Sequence, residues 1–317
     1  MNGHGFVSAF STELDEYLVF KENMGFYGKS RIWYLKQFDT YCAEHDHTVF
    51  DRDSVEGWVS VQLERSSRYR SWMSYIRDFG RWLQTVGNSE AYVLSDRWKA
   101  ERVAARPYLL TSGEIEAFFD AAERLDVQSP WAWQGAAFFT LMHSCGLRTG
   151  EVRALLVDQV DLDAGHIDVM WSKGRRSRRL PITGDVVDTL ATCHQASQAR
   201  FASRHHFFVS ATGNPVTPAT VGVVFNRIWD QAHLARPAGG KRPRPYDFRH
   251  HFAYANIERW MRQGKDVTAM LPYLARYMGH ATFESTFYYV HTSPDFMDAY
   301  AGITGQSQSL LPEVGFE

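Results

Sequence analysis

The sequence predicts a mainly α-helical chain of two domains, with a small β-hairpin element in the second. Apolar residues recur at helical spacing through residues 10–86, and a short basic connection from Lys99 to Pro107 follows. Further along, apolar residues alternate on both sides of a turn at Gly174, which is typical of a hairpin. With 317 residues and 44% hydrophobic content, the chain can form two cores. We place the boundary at Arg106, which gives domains 1–106 and 107–317.

The first domain is predicted to be helical because three apolar stripes have helical spacing. The stripes are Ile32, Leu35, Phe38 and Cys42; Val55, Trp58, Val59 and Leu63; and Trp72, Ile76, Phe79 and Leu83. The last of these helices carries three arginines on a different face, namely Arg70, Arg77 and Arg81. A solvated surface is one open interpretation of these arginines when the row is taken alone.

The second domain is predicted to begin with a capped helix near Thr111, followed by an apolar helix from Trp131 to Met142. Gly146 is expected to end that helix, and Thr149 is expected to cap the next one. Arg148 then lies on the turn, where a guanidinium can bind phosphate oxygens. Glu151 is placed to hold it. An ordinary ion pair at a helix corner is the alternative for Arg148.

A β-hairpin is predicted over residues 167–182, with a strongly basic tip. Its five cations are Lys173, Arg175, Arg176, Arg178 and Arg179. No acid lies among them, and their mutual repulsion suggests an anionic partner. A solvated charged face is the simpler alternative.

A second cationic motif follows a proline-bounded basic run that contains Lys241, Arg242 and Arg244. A helix that begins near Tyr246 would direct its amide groups and Arg249 toward an anion. His250 and His251 are adjacent and diverge on a helix, so packing is expected of them rather than metal binding. The sequence predicts no metal site.

A tyrosine lies nine positions after His280 and is the predicted nucleophile, Tyr289. A phenol has an unperturbed pKa of about 10, so it needs nearby cations to attack at neutral pH. Tyr288 is the rival, but adjacent helical residues point about 100° apart and only one can face a phosphate.

These motifs together resemble the catalytic domain of tyrosine recombinases of the phage-integrase and Xer-like family, from about Arg106 to Tyr300. The ordered set is Arg148 with Glu151, Lys173, Tyr246 to His250, Gly279-His280 and Tyr289. The resemblance implies that the two arginines and His280 contact the scissile phosphate, with Glu151 in support. It implies that Lys173 protonates the leaving 5′-oxygen and that Tyr289 forms the phosphotyrosyl bond, since the family pattern Thr-x-x-Tyr-x-His selects it over Tyr288.

One position departs from the family pattern, because Tyr246 stands where histidine or lysine is usual. A tyrosine can donate a hydrogen bond to phosphate but brings no positive charge at neutral pH. Its role in the predicted site therefore differs from that of the usual residue.

The resemblance also implies a C-shaped clamp, in which a helical core-binding (SAM-like) domain faces the catalytic domain across double-stranded DNA. The predicted DNA contacts are Arg70, Arg77, Arg81, Arg175, Arg176, Arg178, Arg179, Lys241, Arg242 and Arg244. It implies site-specific recombination by a homo-tetramer on synapsed DNA, without ATP, metal or other cofactor. A short helix is expected at Pro294–Tyr300, and it either docks on a neighbouring protomer or packs in its own chain.

Two other functions are compatible with the same residues. A type IB-like topoisomerase would use this chemistry on one duplex, and a two-site recombination assay discriminates it from a recombinase. A catalytically silent DNA-binding accessory protein is the other, with Tyr246 as a sign of a decayed site.

Composition bears on where the protein acts. The net charge of −2 and pI near 6.7 argue against DNA binding, but local basic patches dominate within a Debye length of about 8 Å. Cys42, Cys145 and Cys193 suit neither a disulfide framework nor a zinc site. No signal peptide or membrane-spanning run is visible, so we expect a cytoplasmic, nucleoid-associated protein.

Overall fold

A computed structural model describes residues 4–26, 28–65, 70, 72–98, 107–126, 128–170, 177–236, 243–280 and 286. The chain divides into two compact units, residues 1–104 and 105–317. This division lies close to the boundary predicted at Arg106. The described residues are mainly helical, with one small sheet in the second unit, as the sequence predicts.

The described residues of the first unit form four α-helices around one aromatic-rich core. The helices are α1 (Ser11–Asn23), α2 (Lys29–Glu44), α3 (Arg52–Arg65) and α4 (Met73–Thr85), and a 3-10 turn follows at Asp96–Trp98. All three predicted stripes contribute to this core, with Phe38, Trp58 and Phe79 almost completely buried. The helical period alone therefore identified the inward faces.

The second unit contains seven further described helices. They are α5 (Ser112–Glu123), α6 (Trp131–Ser144), α7 (Thr149–Ala154), α8 (Gly184–Gln198), α9 (Pro218–Gln231), α10 (Pro245–Arg262) and α11 (Val267–Met278). Helix α6 is central, because it packs against α5, α8 and α10 and buries Phe138, Phe139 and Leu141 completely. Residues of the predicted catalytic motifs lie at the ends of α6, α7, α10 and α11.

A three-stranded antiparallel sheet lies in the second unit, in the order β1 (Val160–Asp161), β2 (His166–Val169) and β3 (Arg178–Pro181). Strands β2 and β3 pair from His166 with Pro181 to Val169 with Arg178, as the predicted hairpin requires. Strand β1 was not predicted, since two residues carry no periodic signal. In this described part of the chain, no helix has the length and apolar character needed to cross a membrane.

Helix caps define how the chain enters the site. Thr111 and Glu114 form the capping box that begins α5, in agreement with the sequence. At α7 the prediction was wrong: Arg148, not Thr149, is the N-cap residue. The reason is that the Glu151 carboxylate accepts the Arg148 backbone N–H at 2.9 Å, so Thr149 is already helical.

The turn between α6 and α7 requires glycine at position 146. Gly146 has φ of +60°, and a Cβ there would lie 2.5 Å from a ring carbon of Phe252 on α10. The Leu147 N–H donates to the Leu141 carbonyl at 3.2 Å and closes the end of α6. As predicted, Gly146 ends the helix, and it also lets α10 pack against the turn.

Candidate active site

Arg148 and Glu151 form the first part of the site, at the start of α7. The Arg148 backbone is extended, and its guanidinium Nη1 donates to Glu151 Oε1 at 2.8 Å. Its Nη2 donates to the Gly279 carbonyl at 2.9 Å. Arg148 is therefore more than a helix-corner ion pair, because it also connects α7 to the end of α11.

Arg249 forms the second part, from the first turns of α10. Its side chain is fully buried, with Nη1 donating to the Gly146 carbonyl and Nη2 donating to the Met278 carbonyl at 2.8 Å. Its Nη1 also lies 3.9 Å from Glu151 Oε2. Residues that are far apart in sequence thus meet at one carboxylate.

The Gly279-His280 pair forms the third part, where α11 ends. Gly279 is left-handed, with φ of +68°, and the His280 N–H donates to the Ala275 carbonyl at 2.9 Å. His280 Nδ1 lies 2.7 Å from the hydroxyl of Thr286, which is completely buried. This geometry fixes the imidazole next to the Arg148 contact at Gly279.

Arg178, one of the predicted DNA contacts of the hairpin, lies in this same cluster. Its Nη1 and Nη2 donate to both Glu151 oxygens at 3.1 and 2.9 Å, and its side chain is only 10% exposed. The guanidinium is turned into the unit because β3 places it directly beside the buried carboxylate.

Glu151 is the centre of these contacts, with its side chain 5% exposed. Burial alone would raise its pKa, but hydrogen bonds and charges from Arg178 and Arg148 outweigh burial and hold the pKa of Glu151 below its usual value. Three guanidinium groups thus surround one carboxylate, which leaves an excess of two positive charges.

His280 is held neutral in this environment. Burial, together with the charges of Arg249, Arg148 and Arg178, lowers the pKa of His280 to about 3. At neutral pH the imidazole is therefore uncharged and interacts through hydrogen bonds, while the three arginines carry the positive charge of the cluster.

Tyr246 occupies the first turn of α10 and is 37% exposed. Its ring packs edge-on against His250, with centroids 4.9 Å apart. His251 stacks on His143 of α6, with centroids 5.3 Å apart. Both histidines pack against neighbouring rings in the described structure.

The three predicted arginines of the first unit do not share one surface, and their contacts with DNA stay predictions. Arg77 is buried and donates to the carbonyls of Leu94 at 2.7 Å and Ser95 at 3.2 Å. Arg70 precedes α4 and donates to the Trp98 carbonyl at 3.3 Å. Arg81 is exposed and remains a predicted DNA contact.

Arg179 and Arg244 remain exposed but have acidic partners. Arg179 on β3 forms two hydrogen bonds of 2.8 Å with Asp168 on β2. Arg244 is the N-cap residue of α10, and its guanidinium lies 3.4 Å from Asp247. The basic hairpin is therefore partly neutralised by an acid on its own stem.

Several predicted residues lie outside the described part of the chain, so their places in the site stay predictions. They are Lys173, Arg175, Arg176, Lys241, Arg242, Tyr288, Tyr289 and the segment Pro294–Tyr300.

Sequence reasoning missed three features of the site: Arg178 as a partner of Glu151, the Gly279 carbonyl as an acceptor, and Thr286 as a partner of His280. For Thr286 a signal existed, since it is the first residue of the Thr-x-x-Tyr-x-His pattern. For the other two, no local pattern identifies the distant partner.

Three guanidiniums and a histidine thus lie around one buried carboxylate, and groups of these kinds can hydrogen-bond to the oxygens of a phosphodiester. The sequence profile of the phage integrase family matches residues 109–295, more than half of the chain. The chain therefore belongs to the phage integrase family and is a tyrosine recombinase by family.

Relatives that match most of the chain carry corresponding names. A Sinorhizobium fredii protein named as the integrase/recombinase y4rE is 28% identical over 90% of this chain and 92% of its own length. The tyrosine recombinase XerD of Bifidobacterium longum is 24% identical, over 79% and 80% of the two chains.

Solved structures share the fold at low sequence identity. The Tn1549 transposon integrase, in complex with a circular intermediate DNA, has a TM-score of 0.63 at 14% identity, covering 94% of this chain and 99% of that one. The XerH recombinase, in a post-cleavage complex with palindromic difH substrate, has a TM-score of 0.61 at 16% identity, covering 94% and 85%.

Glu151→Gln should destabilise the second unit by about 3 kcal/mol at pH 7, because it leaves buried guanidiniums without their anion. A lowered carboxyl pKa stabilises the fold above the unfolded pKa of about 4.3, and this stabilisation is lost as pH falls through the folded value. The deficit, measured by urea unfolding, should therefore shrink on acidification to pH 4 and below.

Asp168→Asn is the matched control, since it breaks the exposed pair with Arg179. An exposed ion pair contributes about 0–1 kcal/mol, so this variant should stay close to the wild type. If the two variants lost the same free energy of unfolding, the Glu151 cluster would contribute no more to stability than an exposed ion pair.

Proposed function

We propose that the chain is a site-specific DNA recombinase that cleaves and rejoins strands through a 3′-phosphotyrosyl intermediate on Tyr289. The observation that carries the proposal is the meeting of Arg148, Arg249 and Gly279-His280 around Glu151, from three separate helix ends. In such an arrangement the positive charges are in place before the substrate arrives. Bringing them together is the costly part of stabilising a phosphoryl transition state.

In the proposed reaction, the Tyr289 oxygen attacks the scissile phosphorus and the bond to the 5′-oxygen breaks. The phenol proton passes to water as the new bond forms, and Lys173 gives a proton to the departing 5′-oxygen. One phosphodiester is exchanged for another, so the reaction needs no ATP. Reversal with a different 5′-hydroxyl completes strand exchange.

The described residues would divide the stabilisation of the phosphate between them. Arg148 is 21% exposed and so provides an accessible guanidinium for the non-bridging oxygens. Arg249 acts from a buried position and contributes charge, while neutral His280 contributes a hydrogen bond. Tyr246, partly exposed at the start of α10, would add a hydrogen bond without charge.

The proposed partner is double-stranded DNA with specific recombination sites, bound by a homo-tetramer. In support, the named structural neighbours XerH and the Tn1549 integrase are described in complexes with DNA. Residues 1–106 would serve as the core-binding domain and residues 107–317 as the catalytic domain. The cytoplasm, with its nucleoid, is the compartment in which such a substrate occurs.

Tyr289→Phe should abolish covalent trapping on a nicked suicide substrate while leaving DNA binding nearly intact, because only the nucleophilic oxygen is lost. Tyr288→Phe is the matched control and should still form the adduct. The measurement is denaturing gel electrophoresis of the protein–DNA adduct. If Tyr289→Phe still forms the adduct, or if only Tyr288→Phe fails to form it, Tyr289 is not the nucleophile.

Lys173→Ala should slow cleavage of a normal phosphodiester by about 100-fold or more, since general-acid catalysis typically contributes 10²–10⁴-fold. On a substrate with sulfur as the bridging 5′-atom, the same variant should recover most of its rate, because a thiolate leaves without protonation. Single-turnover cleavage of both substrates measures this.

The alternative is a hairpin that acts only through charge. In that case Lys173→Ala loses a similar factor on both substrates, and raising the salt concentration reproduces the loss by screening phosphate contacts. Absence of sulfur rescue would remove the general-acid role and leave the Tyr289 assignment unaffected.

A further inference from the structure

Arg178 is the first residue of β3, and its guanidinium is fully engaged within the second unit. Besides the two bonds to Glu151, its Nε donates to the Tyr277 carbonyl at 2.8 Å. All three nitrogens thus bind protein groups, and the side chain is 10% exposed. With these bonds in place, the Arg178 guanidinium cannot bind along a DNA backbone. Its neighbour Arg179 can, because the Arg179 side chain is 65% exposed.

Arg178 also packs directly on the residue that precedes His280. A Cβ at Gly279 would lie 2.7 Å from Arg178 Nη1, so only glycine leaves room for the guanidinium there. The Gly279 carbonyl in turn accepts Nη2 of Arg148. Gly279 therefore lies against both Arg148 and Arg178, two of the three arginines around Glu151.

Strand β3 is joined to α11 at its other end as well. The Tyr277 hydroxyl donates to the Pro181 carbonyl at 3.2 Å, while the Tyr277 carbonyl holds Arg178. The strand that follows the Lys173 segment in sequence is therefore fixed to α11 at both ends, and to α7 through Glu151.

We propose that Arg178 is a positioning residue for strand cleavage. By binding both Glu151 oxygens, Arg178 restricts the carboxylate to the one orientation that pairs with Arg148. Arg178 also holds the Gly279-His280 turn against the Arg148 guanidinium. Loss of Arg178 frees Glu151 to rotate, and Arg148 moves with it. This inference rests on the proposed function, since it concerns the same site.

The test compares Arg178→Met with Arg236→Met, which removes a cation from a surface pair with Asp230 in the same unit. At saturating DNA, Arg178→Met should form the Tyr289 adduct about 100-fold more slowly, as a displacement of about 1 Å in a catalytic group would cause. Its DNA affinity should change by less than about threefold, because its donors face the protein. Arg236→Met should keep the wild-type rate.

A double-mutant cycle with Glu151→Gln separates positioning from general destabilisation. If Arg178 acts through Glu151, then Arg178→Met should slow cleavage little further in the Glu151→Gln background. Additive losses, or weakened DNA binding with a normal rate at saturation, would overturn the proposal. If Arg178→Met fails to fold, Arg178→Lys takes its place in the test. Lysine keeps the charge without the bidentate contact, so this variant should show the same cleavage defect.

A crystal structure of the Arg178 variant gives a readout that does not depend on activity. The Arg148 Nη2 to Gly279 carbonyl distance, 2.9 Å here, should lengthen beyond hydrogen-bonding range. An unchanged Arg148 would overturn the inference even if adducts form slowly. If wild-type protein forms no adduct, the proposed function fails, and this distance still decides the positioning role of Arg178.

Discussion

The second unit depends on one buried carboxylate, Glu151, whose pairing with arginines connects three separate segments of the chain, at α7, β3 and α10. Removing a charged group from water is costly unless opposite charges and hydrogen bonds compensate. Glu151 obtains both, from the Arg148 backbone and side chain and from Arg178, with Arg249 at 3.9 Å. Three mutually repelling guanidiniums can gather at one place only because this anion is among them.

The same interaction relates fold to function. Helix ends supply the backbone carbonyls of Gly146, Met278 and Gly279, and these accept the arginine N–H groups that Glu151 does not. The positions of the cations are thus set by main-chain groups at the ends of α6 and α11. Helix α6 lies in the large aromatic core of the second unit, and α11 packs with α10 in a separate apolar cluster. For the proposed phosphate site this means preorganisation, because the dipoles and charges are already in place before a substrate binds.

Much of this could be predicted from the sequence, and the misses have physical reasons. Helical periodicity identified the cores, and turn chemistry identified Gly146 and the position of Arg148. Hydrogen bonds between distant segments could not be foreseen. Arg77 binds the carbonyls of residues 94 and 95, and Arg178 on β3 binds the Glu151 carboxylate on α7. A run of basic residues shows that cations are present, but it does not show which of them face inward. Strand β1 was missed because it is only two residues long.

The most direct test of the account is a ¹³C NMR titration of the Glu151 side-chain carboxyl in the folded protein. A carboxylate held by three guanidiniums should stay ionised as the pH falls, with a pKa below the ordinary glutamate value of about 4.3, until the protein titrates or unfolds. Asp168, paired with Arg179 at the surface, provides an internal comparison in the same spectrum. A Glu151 midpoint at or above 4.3 while the native spectrum persists would contradict the account.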